Sequence, residues 1–190
     1  MGRQSTLNHA QIYAAVSQQL SAVGTVTVAD IVKLTGVSVG SLFHRFSSRE
    51  GLLAEAWLDA LEAFQTQFLE ALSGGDEHAG LQAALTTPRF CRHEPDRAAL
   101  LVCCRASEFL SDKTPKLISK KIRSANQSVE CAVRNFSKQQ GLSLQCCRLA
   151  MAAIPLGAVR IYLPNNPVPK GVDRYIAAAY QAVITADSSG

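Results

Sequence analysis

Apolar residues recur along almost the whole chain at the three- and four-residue spacing of an amphipathic α-helix. In the first helix, Ile12, Ala15, Val16 and Leu20 share one face, and Gly24 follows as a residue that tolerates the left-handed backbone of a helix end. The pattern predicts an all-α protein of about nine helices, over residues 7–22, 28–34, 38–45, 48–72, 78–86, 95–110, 114–140, 144–161 and 171–186.

Polar residues at the predicted helix starts support these boundaries. Thr27 and Asp30 have the spacing of a capping box, in which a hydroxyl caps the helix start and a carboxylate reaches back to the cap. Ser38 is the predicted cap of the third helix, and Ser47 and Glu50 repeat the capping-box spacing before the fourth.

Proline residues mark the expected irregularities. Pro88 is predicted to separate the fifth helix from the sixth, which begins near Pro95. Pro155 lies inside the helix predicted over residues 144–161, where a residue without a backbone N–H should kink the helix or open a gap in its hydrogen bonding.

Residues 27–50 have the arrangement of a helix-turn-helix unit. Two short helices flank Gly36, which can adopt the left-handed conformation that the turn needs. The apolar residues expected to lock these helices together are Ile31, Leu34, Val37, Leu42 and Phe46. The second helix presents outward a set of residues that are mostly small or polar near its start, as a helix approaching base edges requires: Ser38, Val39, Ser41, His44 and Arg45.

The amino-acid sequence of this stretch resembles the N-terminal domain of TetR-family transcriptional regulators. The resemblance rests on GTVTVADI at residues 24–31, GVSVGSLFHRF at residues 36–46 and SREGLL at residues 48–53. It covers roughly the first 55 residues, and the remainder matches only in architecture. It implies a three-helix, helix-turn-helix DNA-binding domain over residues 1–48. Residues 49–190 would then form a helical bundle for effector binding and dimerisation.

The resemblance also implies roles for individual residues. Thr27 and Val28 would open the helix that abuts the DNA backbone, with the hydroxyl and amide of Thr27 contacting phosphate. Gly40 would let the backbone of the recognition helix come close to DNA, and Ser41 and His44 would contact base edges or phosphates. The full set implied to bind DNA is Thr27, Val28, Ser38, Val39, Gly40, Ser41, Phe43, His44 and Arg49.

Two positions depart from the family pattern in ways that weaken the expected interface. Phe43 stands where the family usually has tyrosine, and Val39 stands where lysine is common. Each lost phosphate contact should reduce the salt dependence of binding by about one unit. We therefore expect weaker binding, or binding that relies on Arg3, Lys33 and Arg45.

The charge distribution adds little to this interpretation. The net charge is +4, but residues 50–112 hold eleven acidic and four basic residues, whereas residues 113–148 hold eight basic residues and one acidic residue. The largest positive block therefore lies outside the helix-turn-helix unit, and a basic helix face is most often simply solvated.

The cysteine pattern leaves one alternative open. The six cysteines include the adjacent pairs Cys103–Cys104 and Cys146–Cys147, which are interpreted mainly as small buried hydrophobic residues. A thiol- or metal-responsive regulator that uses these pairs is the alternative.

Other function classes find no support in the residues. No hydrolase, phosphate-loop or metalloprotease motif is present, so we expect neither enzymatic activity nor a cofactor. No apolar run reaches the roughly 18 residues of a membrane span, and the chain lacks an apolar leader, which predicts a cytoplasmic protein.

The sequence therefore predicts a transcriptional regulator, most simply a repressor that binds a palindromic double-stranded DNA operator as a homodimer and is released by a small apolar or amphipathic ligand. The residues expected to line the ligand pocket are Trp57, Phe64, Phe90, His93, Cys104, Phe109 and Met151. The residues expected at the dimer interface are Leu144, Met151, Ile161, Ile176 and Val183.

Overall fold

The computed structural model describes residues 8–74, 76–103 and 114–188. Every regular element in these ranges is helical, and none of the helices there is both long and apolar enough to span a bilayer. The α-helices are α1 His9–Val23, α2 Val28–Thr35, α3 Val39–Phe46, α4 Arg49–Leu72, α5 Glu77–His93, α6 Pro95–Cys103, α7 Lys116–Gln140, α8 Leu144–Arg148, α9 Ile154–Arg160 and α10 Val172–Ser188, with a π-helical turn Leu149–Ala153 between α8 and α9. With residues 144–160 taken as one helix, this part of the chain has nine, which confirms the all-α prediction.

The turns around α2 and α3 follow the predicted chemistry. The Thr27 hydroxyl accepts a hydrogen bond from the Asp30 amide at 3.2 Å, and the Asp30 carboxylate accepts one from the Thr27 amide at 3.0 Å, so the capping box is confirmed. Gly36 ends α2 with a φ of 69°, the left-handed conformation that favours glycine. Leu34, however, is 45% exposed, because Ile31 supplies the buried side of this two-turn helix, and the prediction that Leu34 locks the helices is wrong.

The start of α4 differs from the prediction by one residue. Ser48, rather than Ser47, caps the helix, and its hydroxyl accepts a hydrogen bond from the Gly51 amide at 3.0 Å. Ser47 instead ends α3 with a φ of 64°, so it reverses the chain direction between the two helices. The Ser47–Glu50 spacing resembles a capping box only because two serines are adjacent.

The two proline predictions have opposite outcomes. α5 runs continuously through Pro88, so the predicted break there is wrong; Pro88 is itself almost fully buried in a helix whose neighbours Leu85 and Phe90 belong to the core, and this packing offsets the lost hydrogen bond. Pro155 is the second residue of α9, which begins directly after the π-helical turn Leu149–Ala153. The irregularity predicted there is confirmed, since a π turn accommodates a local change in the hydrogen-bond ladder.

Two clusters of buried apolar side chains hold the helices together, and α4 belongs to both. The N-terminal core joins α1, α2 and α3 to residues 52–61 of α4 and to Leu100, Ile118 and Ile122 of α6 and α7. The C-terminal core joins the far end of α4 to α5, α7, the π turn and α10. Leu101 of α6 packs against both cores. Residues of α4 and α6 therefore pack in both cores.

Candidate nucleic-acid interface and cavity

The outward face of α3 combines exposed small, polar and apolar side chains. Leu42 and Phe46 are buried in the N-terminal core, so the opposite face, with Val39, Phe43 and His44, is exposed. The Ser38 hydroxyl caps α3 by accepting a hydrogen bond from the Ser41 amide at 3.1 Å and lies 2.9 Å from the Ser41 hydroxyl. Of the predicted outward residues, Ser38, Val39 and His44 are exposed and Ser41 is half-buried.

Thr27 caps α2, and both of its hydrogen-bond donors are engaged within the chain. Its amide and its hydroxyl both donate to Oδ2 of Asp30, at 3.0 and 2.6 Å. These hydrogen bonds hold the pKa of Asp30 below its usual range. Both donors that Thr27 was expected to offer to a phosphate are therefore bonded to the Asp30 carboxylate in this structure.

Arg49 connects the start of α4 to the turn that precedes α2. Its Nε donates to the backbone carbonyl of Val26 at 2.9 Å, and the side chain as a whole is exposed. This hydrogen bond orients the guanidinium group on the same side of the molecule as the start of α2. Val28, the first residue of α2, is half-buried.

Arg45 belongs to an internal network that joins three helices. Its guanidinium group donates to both oxygens of Glu55 on α4, at 3.0 and 2.9 Å, and through Nε to Nε2 of His9 on α1 at 3.2 Å. Tyr13 of α1 donates to the same Glu55 carboxylate at 2.9 Å. Burial and this hydrogen bond raise the pKa of Tyr13. Arg45 therefore links α3 to α1 and α4.

Lys33 and Arg3 are the other two cations on which DNA binding was expected to rely. Lys33 is exposed near the end of α2, and Arg3 lies outside the described residues. The Arg45–Glu55 pair could not be predicted from the sequence, because the two residues lie on different helices and helical periodicity relates only residues of the same helix. It depends on how α3 and α4 cross.

A cavity of about 320 Å³ lies between α4, α5, α6, α7 and the helix over residues 144–160. Four of the residues predicted to line a pocket, Trp57, Phe64, Phe90 and Met151, are on its wall. His93 is not; it is exposed and lies in a separate groove where the end of α5 meets α1 and the start of α6. Cys104 and Phe109 lie outside the described residues. Further wall residues that the sequence analysis missed include Leu61, Gln65, Phe68, Leu101, Val133 and Leu156.

Few polar groups face this cavity. Gln65 donates to Asn126 at 3.0 Å, and Glu130 accepts hydrogen bonds from both Arg148 and Arg134. The hydrogen bond from Arg148 is the main reason that the pKa of Glu130 is lowered. The indole Nε1 of Trp57 is buried and finds no acceptor in the described part of the chain. The wall is therefore apolar, with charges that are already paired.

The described cysteines do not form a reactive or metal-binding group. Cys146 and Cys147 are buried, and burial raises the pKa of Cys146 and raises the pKa of Cys147 to about 11. Within the described residues, no set of three or more histidine, cysteine, aspartate or glutamate side chains is arranged to hold a metal ion. The geometry thus gives no support to the thiol- or metal-sensing alternative through this pair; Cys104 lies outside the described residues.

This arrangement predicts the order of thiol modification. At pH 8, iodoacetamide should label the exposed Cys131 at least about tenfold faster than Cys146 or Cys147, because the thiolate is the reactive form and a raised pKa depletes it. Peptide mass spectrometry after timed quenching measures the three rates in one sample. Labelling of Cys147 should accelerate only as the pH approaches 11. Equal rates for Cys131 and Cys147 at pH 8 would contradict the buried placement.

Two of the residues predicted for the dimer interface cannot contribute surface to a second copy. Met151 and Ile176 are each 1% exposed because they pack inside the C-terminal core of their own chain. Ile161 is 79% exposed, and Leu144 and Val183 are half-buried at the edge of that core. Other large exposed apolar residues of the same helices are Leu149 and Tyr175.

Comparison with known proteins connects this geometry to a family. Residues 20–56, from the end of α1 into α4, match the family described as bacterial regulatory proteins, tetR family. This stretch of the chain is therefore similar to the TetR family. Among solved structures, the TetR family transcriptional regulator PfmR from Thermus thermophilus has a similar fold, with a TM-score of 0.68 and 16% sequence identity over 92% of this chain and 97% of that one. No curated protein sequence matches the chain significantly.

The family match covers the part of the chain that holds the α3 surface. It includes Gly36 at the turn, the capping box before α2 and the Arg45–Glu55 pair. The match indicates that residues 20–56 form a helix-turn-helix unit like that of the bacterial regulatory proteins of the tetR family. The likeness to PfmR extends the shared fold to the helices that enclose the cavity, and at 16% identity it concerns the fold alone.

Proposed function

We propose that this TetR-family regulator is a repressor that binds a palindromic operator as a homodimer through α3, and that a small molecule bound in the cavity releases it. The observation that carries the proposal is Gly40, on the exposed side of α3. A Cβ added there would meet only the Ser38 hydroxyl, at 4.0 Å. Alanine would fit and would favour the helix by about 1 kcal/mol. A glycine that the fold itself does not require supports the proposal that a partner outside the chain approaches α3 closely.

Double-stranded DNA is the partner that suits this surface. A short helix whose first turn carries small side chains can enter the major groove, where base edges are distinguishable. Ser41 and His44 are the side chains placed to contact base edges or neighbouring phosphates. The residues proposed to contact DNA directly are Val28, Ser38, Val39, Gly40, Ser41, Phe43, His44 and Arg49, while Thr27 serves mainly to cap α2.

Dimerisation would set the spacing of two such surfaces. The exposed apolar side chains of the last helices, Leu149, Ile161 and Tyr175, lie on elements next to the half-buried Leu144 and Val183. A two-fold contact through these residues would place the two α3 helices roughly 34–36 Å apart, one turn of DNA. Sedimentation at micromolar concentration should show a dimer, and Ile161→Asp should yield a monomer that remains helical. A wild-type monomer would refute this part of the proposal.

The cavity is connected to the α3 surface through α4. Trp57 and Leu61 line the cavity and also belong to the N-terminal core. Nearer the start of the same helix, Arg49 holds the turn before α2 and Glu55 holds α3. A ligand that moves α4 therefore changes how both helices are presented. Switching from 1:99 to 99:1 requires a preference of about 5.5 kcal/mol for the released state.

Two substitutions test the assignment of α3. Ser41→Ala and His44→Ala should each weaken specific binding, by about fivefold to a hundredfold at fixed salt, because a lost base contact costs about 1–3 kcal/mol. Both side chains lie outside the N-terminal core, so thermal stability should change little. The measurement is fluorescence anisotropy with a duplex that the protein has selected from a random library. Unchanged affinity in both variants would count against α3 as the recognition helix.

A further inference from the structure

We propose that the cavity takes an uncharged, largely apolar molecule with one hydrogen-bond acceptor, such as a ketone, ester or ether oxygen, and that Trp57 donates its indole N–H to that oxygen. This inference rests on the proposed function in that the cavity is taken as the effector site. It goes further by naming the chemistry of the ligand and the side chain that recognises it.

The first argument is that the buried indole N–H of Trp57 has no hydrogen-bond acceptor among the described residues. Trp57 is 6% exposed, and its Nε1 has no acceptor among the described residues. An indole N–H can only donate, and buried polar groups nearly always have a partner. A phenylalanine would cover the same part of the wall without leaving a donor unpaired. Because Trp57 forms part of the cavity wall, a ligand in the cavity would supply this acceptor.

The second argument is the composition of the wall. Phe64, Phe68 and Phe90 form an aromatic group in which Phe64 lies 6.1 Å from Phe68 and 5.4 Å from Phe90 between ring centroids. The rest of the wall is chiefly leucine, valine, alanine and methionine. Such a lining favours a ligand that buries mostly apolar surface and is oriented by a small number of polar contacts.

The third argument concerns charge. The two charged side chains on the wall, Glu130 and Arg148, are bonded to each other, and Glu130 also accepts a hydrogen bond from Arg134 at 3.0 Å. A carboxylate or ammonium group on the ligand would have to break this network or remain buried without a partner, and burying an unpaired charge is strongly unfavourable. The cavity is therefore suited to a neutral molecule.

Three probes of closely similar shape test the chemistry. Benzophenone carries a carbonyl oxygen, diphenylmethane has a methylene in its place, and 4-benzoylbenzoate adds a negative charge. Isothermal titration calorimetry with the full chain should give a dissociation constant about tenfold lower for benzophenone than for either of the others, because a site with a buried donor rejects an analogue that lacks the acceptor.

Two variants test whether Trp57 causes the preference for benzophenone. In Trp57→Phe, the preference for benzophenone over diphenylmethane should fall to about onefold, while diphenylmethane binds within about twofold of its wild-type affinity. In Met151→Leu, a volume-conserving change elsewhere on the wall, the tenfold preference should persist. An unchanged preference in Trp57→Phe, equal binding of the three probes to the wild type, or binding of none of them would overturn the inference.

A parallel measurement separates this inference from the proposed function. The same probes are added to the complex of the protein with its selected duplex, and anisotropy reports release. Selective binding of benzophenone without release would support the ligand chemistry and contradict the release mechanism. Release that is equally strong with diphenylmethane would support the mechanism and overturn the ligand chemistry.

Discussion

Gly51→Ala is expected to lower the free energy of unfolding by about 3 kcal/mol. Gly51 lies in the first turn of α4, and a Cβ there would be 2.2 Å from the backbone carbonyl oxygen of Phe46 and 3.4 Å from its carbon. A backbone carbonyl cannot rotate away as a side chain can. The start of α4 would have to separate from the end of α3, and overpacking of this kind costs typically 1–3 kcal/mol or more.

Urea denaturation followed by circular dichroism measures this effect. Gly40→Ala is the matched control, since it adds the same methyl group to a helix at a position where the nearest atom is 4.0 Å away. The control should be as stable as the wild type or more stable by about 0.5–1 kcal/mol. Equal losses of stability in the two variants would mean that the close packing of α3 on α4 is not what requires Gly51.

Gly40→Ala is also expected to lower affinity for the selected duplex by about tenfold or more, although it leaves the fold intact. The added methyl group would project from the exposed face of α3, where the proposal places the DNA backbone or the base edges. Holding the helix away from the groove weakens several contacts at once, each worth about 1–3 kcal/mol. Stability and DNA affinity should therefore change in opposite directions.

Gly171→Ala provides the comparison for this experiment. Gly171 precedes α10, far along the chain from α3, and a Cβ there has no neighbour within 4 Å. Anisotropy titrations at one salt concentration should give the wild-type dissociation constant for Gly171→Ala and a raised one for Gly40→Ala. Wild-type affinity in both variants would show that the start of α3 does not approach DNA closely.

Much of the fold could be predicted because its determinants are local. Helical periodicity and start signals such as Thr27 with Asp30 act within one turn of the chain, and Gly36 is recognisable by the backbone conformation that the turn needs. The break predicted at Pro88 failed because the packing of α5 against other helices, which a single segment does not reveal, outweighs the local cost of proline.

The site was predictable where it depends on one helix and not where it depends on several. The outer face of α3 follows from which of its residues are apolar. The Arg45–Glu55 pair depends on how two helices cross, and the engagement of the Thr27 hydroxyl depends on the reach of the Asp30 carboxylate. Met151 was expected both in the pocket and at the dimer interface, and only the packing of the π turn decides that it faces inward.

The most direct test of the central claim is the ratio of specific to non-specific DNA affinity. Duplexes are selected from a random library with the wild-type protein, and dissociation constants are measured for the selected duplex and a scrambled one at the same salt concentration. We predict a palindromic sequence with half-site centres about 10–10.5 base pairs apart and a ratio of about a thousandfold or more. Equal affinity for the two duplexes, with no sequence enriched by selection, would contradict the assignment of α3 as a recognition helix.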